Sequence, residues 1–505
     1  MMVSTKKLTT RMVLLMYDSI LHFTKNGTEK IEKKIKEFLN TGTMSLGELV
    51  LGLGEPINEL LCNIVSETIE EIDEAFRKDP LRKKEYHIIR KDQNCVLTSY
   101  GMITYDRTYF KHKESGERVY LADRAMGITA NMRKSEDVTI KAIEHANDCS
   151  YRISGEKATF TDDEISKQAV MKELHKLEIP WRIPEVEEKK EARVLYITAD
   201  EDHVPLQFNK EKGDLKISEN GRKSNTLEPR LAVLYEGIRK ESPKGKRNKL
   251  VAKYVFGGVY KNNLELWTEV REYIEAVYDE KYLEKIFIQG DGARWIKNGV
   301  DVLGSKCRFV LDEFHLQQSI HQGTRHTGDS VSDVKTAIRD AISFEDKNKI
   351  KDIFCRVKSA ADTKSKKQEA EKAEAYILNQ WNGIIIKNKD KDARMGSCAE
   401  GQVSHIFSTR LSRDPLGWSK EGADKMARLR VYTANGGSVI DLFRYKEEKA
   451  KRIIREEIQE KVDREIKGKA RSYFDTHEYR TIATMTGKKT GMYEYMKLVR
   501  NTYIS

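Results

Sequence analysis

The stretch from Lys285 to Ile296, "KIFIQGDGARWI", decides how the rest of the chain is read. Ile286 to Gln289 form a run that suits a buried strand, and the run delivers Asp291 between Gly290 and Gly292. Two glycines beside a carboxylate leave room for a metal or a phosphate to approach the backbone. A Gly-Asp-Gly surface turn is the plain alternative. Three strand-like runs come before it: "RVLYITAD" (193–200), "LAVLYEGI" (231–238) and "LVAKYVFGGVY" (250–260). The helical stretch "NNLELWTEVREYIEAVYDEKYLEK" stands between the third run and the fourth, and "CRFVLDEFH" (307–315) follows one more short helix. Three strands, then helix, strand, helix and strand predict an α/β fold around a mixed sheet.

The 505 residues bring 39% hydrophobic side chains, enough for several cores, and a net charge of +11 from 91 Lys and Arg against 80 acids. A basic excess favours a polyanionic partner. The six cysteines are scattered without a CxxC pair, which fits a reducing compartment. The first residues hold only a short apolar run, and no stretch is read as approaching a membrane span, so a soluble, cytoplasmic protein with no membrane is expected.

Outside the sheet the pattern divides further. Residues 1–84 read as a helical N-terminal region, and 85–130 as a β-hairpin module around a Gly116 turn. Residues 131–180 form a helix-turn-helix-like region: a short helix at 150–157, then a second helix with Thr161 and Glu164 in capping-box spacing and a stop at Pro180. Ser166, Lys167 and Gln168 would then stand near the start of a DNA-reading helix; an ordinary helical hairpin is the alternative. Residues 190–315 and 393–420 carry the sheet domain. The charged segment 316–392 reads as a helical insertion, and 421–505 as a basic helical C-terminal region.

Asp200 ends the first strand of the sheet and Asp291 ends the fourth. If those strands are neighbours, the carboxylates lie side by side and need a cation. Hard oxygen ligands suit Mg²⁺ or Mn²⁺. Glu400 is the candidate third acid. It stands at the head of an apolar stripe of Val403, Phe407 and Leu411, which predicts a carboxylate facing the sheet. Asp202, Asp312 and Glu313 compete for the role. His315 is the auxiliary candidate among the histidines near these acids.

Four ordered blocks, "YITADEDHVPLQ", "IQGDGARWI", "VLDEFHLQQSI" and "AEGQVSHIFSTRLSRDPLGWS", together resemble the ISLre-type insertion-sequence transposases, DDE enzymes akin to the bacterial Mutator-like group. "TSYGMITYDRTYF", "ISKQAVMKEL" and "MARLRVYTANGG" extend the resemblance over most of the chain. It implies a ribonuclease-H-like catalytic domain with an all-helical insertion. The family's acids fall on Asp200, Asp291 and Glu400, and its strand-end histidine on His315. The activity implied is DNA transposition: two Mg²⁺ (or Mn²⁺) ions held by the three acids, binding of terminal inverted repeats, and a homodimer or larger assembly on DNA. Trp418 either stacks on a distorted base or belongs to the core. The loose likeness of "DED" at 200–202 to the first motif of DEDD exonucleases keeps a different nuclease open, and a DNA-binding relative without activity is the third reading.

Overall fold

The computed structural model describes residues 17–41, 44–181, 183–207, 216–217, 223–245, 247–414, 417–446 and 448. The chain divides into two compact units, Met1–Phe443 and Arg444–Ser505, and every element below belongs to the first. Most of the expected C-terminal helical region therefore lies outside the described residues.

Helices α1 (Thr28–Thr41) and α2 (Leu46–Lys78) open the fold. Ser45 and Glu48 close a full capping box on α2. Toward its end α2 lies on a hairpin of β1 (Tyr86–Thr98) and β2 (Gly101–His112), with Ile69 buried there and Asp73 accepting from the Thr108 backbone N–H at 2.9 Å. Gly116 does make a turn, but to the short β3 (Arg118–Tyr120); the main hairpin turns earlier, at Ser99 and Tyr100. Against expectation, α2 has the length and composition of a membrane span, alone among the described helices. Its capped start and its seat on β2 are those of a helix in a folded domain.

Helices α3 (Glu136–Ala146), α4 (Tyr151–Glu156) and α5 (Lys167–Lys176) follow. The expected capping box at Thr161 and Glu164 does not form. Thr161 turns back on Asp163 instead, and Ser166 caps α5 by accepting from the Ala169 N–H. The connection from Lys157 to Ser166 is longer than the roughly three- to four-residue turn of a helix-turn-helix. The two helices still meet closely. A Cβ on Gly155 would stand 1.9 Å from the Ile165 carbonyl oxygen, so only glycine fits there.

The central sheet has five strands: β4 (Val194–Glu201), β5 (Arg230–Tyr235), β6 (Tyr254–Gly258), β7 (Lys285–Gly290) and β8 (Cys307–Leu311). Their spatial order is β6-β5-β4-β7-β8. The β6/β5 and β5/β4 pairs are antiparallel; β4/β7 and β7/β8 are parallel. The runs at 231–238 and 250–260 each break in two. Their other halves, Gly237–Lys240 and Asn248–Val251, form a separate ribbon, and Ala252 at φ 49 marks the break.

Helices α6 (Glu265–Val277) and α7 (Arg294–Leu303) are the crossovers into β7 and β8. They cover one sheet face, where Leu195, Ile197 and Ala199 pack with Trp267, Val270 and Ile296. Val194 and Tyr196 alternate to the other face. The insertion is all-helical as expected: α8 (Glu313–Thr324), α9 (Val331–Ser343), α10 (Lys347–Ser359), α11 (Lys364–Asn379) and α12 (Trp381–Lys389) share a core built on Ile320, Ile338, Phe354 and Ile377. At Gly383, α12 comes so close to β8 that a Cβ would stand 2.7 Å from the Phe309 ring. A helical run follows, α13 (Ala399–Val403), a π-turn segment (Ser404–Ser408) and α14 (Thr409–Leu411), and then α15 (Lys420–Ala434).

Candidate active site

The register of β4 against β7 brings the two aspartates together. Thr198 is the partner of Gln289 in this parallel pair. Asp200 and Asp291 each stand two residues beyond that pairing, at the C-terminal ends of adjacent strands. Asp200 is largely buried and its pKa is pushed up to about 6, first by loss of hydration and further by the charges of Glu201 and Asp291; the Glu201 N–H and His315 act in the opposite sense. Asp291 Oδ1 accepts from the Ala293 N–H at 2.8 Å, which fixes the turn.

The third acid arrives by way of a tethered segment. Alternation along β4 and β7 puts Thr198 and Gln289 on the face away from α6 and α7. There the Thr198 hydroxyl meets the Ser397 hydroxyl at 2.9 Å, Gln289 Nε2 donates to the Met395 carbonyl at 2.6 Å, and Tyr235 Oη donates to the Gly396 carbonyl at 2.9 Å. Three consecutive residues are thus tied to three strands. Glu400 follows three residues later, in the first turn of α13, which packs beside β4.

Glu400 does not face the sheet as expected. Ala399 and Val403 define the buried side of α13, and Glu400, one position round from Ala399, is exposed. Among the described residues it has no hydrogen-bond or ion-pair partner, and no three His, Cys, Asp or Glu side chains are grouped closely enough to hold a metal ion. The expected triad is therefore a close pair, Asp200 and Asp291, with Glu400 at its margin. The pair itself suits a hard divalent cation: both donors are oxygens, and the buried Asp200 carboxylate is destabilised without a counter-charge. Gly396 and Gly401 flank the approach of Glu400, and an added Cβ at either meets nothing.

The competing acids are all engaged. Asp202 accepts from the Ser412 hydroxyl with both carboxylate oxygens at 2.9 Å. Asp312 caps α8 through the Phe314 N–H at 2.6 Å. Glu313 pairs with Lys387 at 2.9 Å. Glu201 points to the opposite face, where it accepts from Trp295 Nε1 at 2.6 Å.

His315 lines a cleft together with Asp291 and residues of α8 and α11, among them Gln318, Gln322, Lys372 and Tyr376. Two of the insertion's residues hold the Asp291 loop directly. Tyr376 Oη donates to the Asp291 carbonyl at 2.5 Å, and Gln380 Nε2 to the Gly292 carbonyl at 3.3 Å. Gly292 has φ +92, and a Cβ there would stand 2.3 Å from the Gln380 amide nitrogen. Reading the sequence missed both residues. The one signal available was their spacing of four at the apolar end of a charged helix.

Of the expected DNA contacts, Ser166, Lys167 and Gln168 are exposed at the head of α5. Trp418 belongs to the core: it is 5% exposed, and its Nε1 donates to the Leu411 carbonyl at 3.0 Å. Lys167, Gln168 and Trp418 nevertheless line one cleft, although some 250 residues separate them.

Similar proteins cover nearly the whole chain. A UPF0236 protein of Caldanaerobacter subterraneus subsp. tengcongensis is 39% identical over 422 residues, 84% of this chain and 85% of the relative. A second from the same organism, whose name joins eleven designations, is 38% identical over 422 residues with the same shares. The UPF0236 protein in the vanSb 3′ region of Streptococcus gallolyticus is 23% identical over 425 residues, 80% of this chain and 86% of the relative. Residues 39–449, which include Asp200, Asp291 and Glu400, match the family described as "Uncharacterised protein family (UPF0236)", and the chain belongs to that family.

Proposed function

We propose that the protein is a DNA transposase of the ISLre type, cutting and joining DNA strands with Asp200, Asp291 and Glu400. The observation that carries this is the neighbouring placement of Asp200 and Asp291 at the ends of parallel strands, with the chain leading to Glu400 tied across the same sheet face. A ribonuclease-H-like domain accounts for the sheet order, for the antiparallel second strand, and for a helical insertion between the last strand and the third acid. The relative whose name joins eleven designations supports the reading too, since a sequence present many times in one organism is what a self-propagating element leaves.

Each residue then has a task. Asp200, between Asp291 and His315, is the group whose charge most needs compensation. Asp291 is presented by a turn whose carbonyls are held from the insertion. Glu400, unpaired at its helix start, is free to complete the set. Asp200 and Asp291 would hold a Mg²⁺ or Mn²⁺ ion, and Glu400 would have to move in to help hold a second; when bound, such ions would supply an activated water and neutralise charge on an in-line phosphoryl displacement. With water or a DNA 3′-hydroxyl as nucleophile, no covalent protein intermediate is needed. The basic surface holds phosphates, and joining two element ends calls for a dimer or larger assembly.

The purified protein, mixed with DNA carrying the element's ends and Mg²⁺, should nick at those ends. Asp291→Asn should lose the activity by at least about a hundredfold; an Asp291→Asn protein that still nicks rules out this site. The exonuclease reading is weakened by Asp202, whose two oxygens are bound to Ser412. Progressive digestion of nonspecific ends would restore it. DNA binding without cleavage of any cognate end would favour an inactive relative.

A further inference from the structure

Beyond the acid site the first unit holds another cleft, of about 570 Å³. Its walls come from five parts of the chain: Tyr151 and Arg152 of α4, Lys167 and Gln168 of α5, Gln207, Arg410 of α14, and Gly417 to Ser419 before α15. Among the described residues no carboxylate lines it. Acids around it are already paired: Glu156 with Arg152, Glu421 with His175, and Asp148, whose charge reaches Arg410, with Arg430.

Arg410 is the centre of the cleft. Its side chain is 5% exposed, a position almost never given to a charge without a partner. Its Nε donates to the Ala146 carbonyl at 2.8 Å. The guanidinium carbon lies 4.8 Å from the Trp418 ring centre and 5.5 Å from that of Tyr151, both in the cleft wall. Its two terminal nitrogens have no acceptor among the described residues. A guanidinium set beside two rings, with only its Nε received by a protein oxygen, leaves its two terminal nitrogens as a recognition element for an anion.

Two further features point the same way. The head of α5 reaches the cleft through Lys167 and Gln168, and the Ser166 side chain caps only the Ala169 N–H, leaving the N–H groups of the first two helical residues for an anion. The Lys167 ammonium has no ion-pair partner among the described residues. Tyr151 Oη and His175 Nε2, both in the wall, are buried without a hydrogen-bond partner.

We infer that this cleft binds a phosphate group, gripped by the Arg410 guanidinium, the Lys167 ammonium and the head of α5. The ligand is a tetrahedral oxyanion, either inorganic phosphate or the phosphodiester of a nucleic-acid strand. The second source rests on the proposed DNA chemistry. Arg410 and Glu400 lie on one helical run ten residues apart, roughly 15 Å at 1.5 Å per residue. A strand held at Arg410 would place the phosphodiester about four to five nucleotides away beside the acids, at about 3.4 Å per nucleotide. Trp418 and Tyr151 brace the guanidinium in this arrangement and do not themselves stack on a base.

The experiment uses the full chain, wild type and three variants: Lys167→Gln, Arg410→Gln and Asp291→Asn. Lys167 is exposed, so its variant should fold normally; circular dichroism and thermal melting check Arg410→Gln. Binding of a labelled 30-base-pair DNA is followed by fluorescence anisotropy across a salt series, and melting is measured with and without 10 mM inorganic phosphate. Lys167→Gln and Arg410→Gln should each weaken DNA binding about tenfold and reduce the slope of log K against log salt by about one, the signature of one lost phosphate contact. Cleavage of end DNA is scored separately with Asp291→Asn, so the two proposals can fail separately. A phosphate-dependent rise in melting temperature, lost in Lys167→Gln, with no change in DNA affinity identifies the small ion as the ligand. Lys167→Gln binding DNA with unchanged affinity and salt slope, together with no phosphate-dependent melting shift in the wild type, overturns the inference.

Discussion

Thr198 and Ser397, 199 residues apart in the chain, share a hydroxyl hydrogen bond of 2.9 Å. One partner stands two residues before Asp200, the other three residues before Glu400. The bond thus links the strand carrying the first acid to the segment carrying the last, across the whole helical insertion.

The pH dependence of stability should report on Asp200. Its folded pKa of about 6 lies above the ordinary carboxylate value of 3.8, so the folded state holds the proton more tightly than the unfolded chain does. This contribution is fully present below about pH 4 and is lost as pH rises through 6. Asp200→Asn, which mimics the protonated form, should match wild type near pH 4 and exceed it by roughly 1–3 kcal/mol at pH 8. Thermal melting across that range checks the sign. Mn²⁺ should raise the melting temperature of wild type at pH 8 and leave the variant nearly unmoved.

Glu400 and Asp202 should separate function from stability. Glu400→Gln removes an exposed, unpaired carboxylate, so melting should hardly change while end cleavage falls at least a hundredfold. Ser412→Ala removes the donor that bonds both oxygens of the buried Asp202, at a cost of about 1–3 kcal/mol. Cleavage per folded molecule should survive that change. The reverse pattern would make Asp202 the third acid.

The insertion's grip on the Asp291 loop can be tested at Tyr376. Tyr376→Phe removes one donor from the Asp291 carbonyl and should lower the cleavage rate about tenfold with DNA affinity unchanged. Gly292→Ala should be worse, because a Cβ would stand 2.3 Å from the Gln380 amide and φ is +92. Single-turnover cleavage against DNA binding separates these effects; equal losses in both would mean that the loop has simply unfolded.

Gly155→Ala should loosen the α4–α5 junction. With 1.9 Å between the new Cβ and the Ile165 carbonyl oxygen, the backbones must part, at a cost of about 1–3 kcal/mol. A lower melting temperature with retained cleavage on short end fragments is expected.

Much of this architecture could be read from residue pattern. The apolar runs ending at Asp200 and Asp291 announced strands, and a parallel pairing of those strands was enough to join the two acids. Four things were hidden, each for a physical reason. Strand β1 is exposed over most of its first half, so "YHIIRKDQN" carries no apolar alternation to reveal it. The start of α5 was misplaced because Thr161 satisfies its side chain in a local turn with Asp163, leaving Ser166 to cap the helix. Glu400 was expected to face inward because Val403, Phe407 and Leu411 continue a stripe. All three are buried, but the stripe runs back through Ala399, one residue before the acid. Tyr376 and Gln380 were invisible because their partners are backbone carbonyls, which no side-chain pattern records.

The tether of Met395–Ser397 to β4, β5 and β7 also sets a timetable. Asp200 leaves the ribosome some 200 residues ahead of Glu400, an interval of roughly 10–40 s at about 5–20 residues per second. Until residue 397 arrives, Thr198, Gln289 and Tyr235 lack the partners that hold the segment leading to Glu400. The nascent polypeptide is therefore without its assembled acid site for most of its synthesis, and if that site carries the proposed cleavage, any truncation before that clasp should yield a fragment unable to cut.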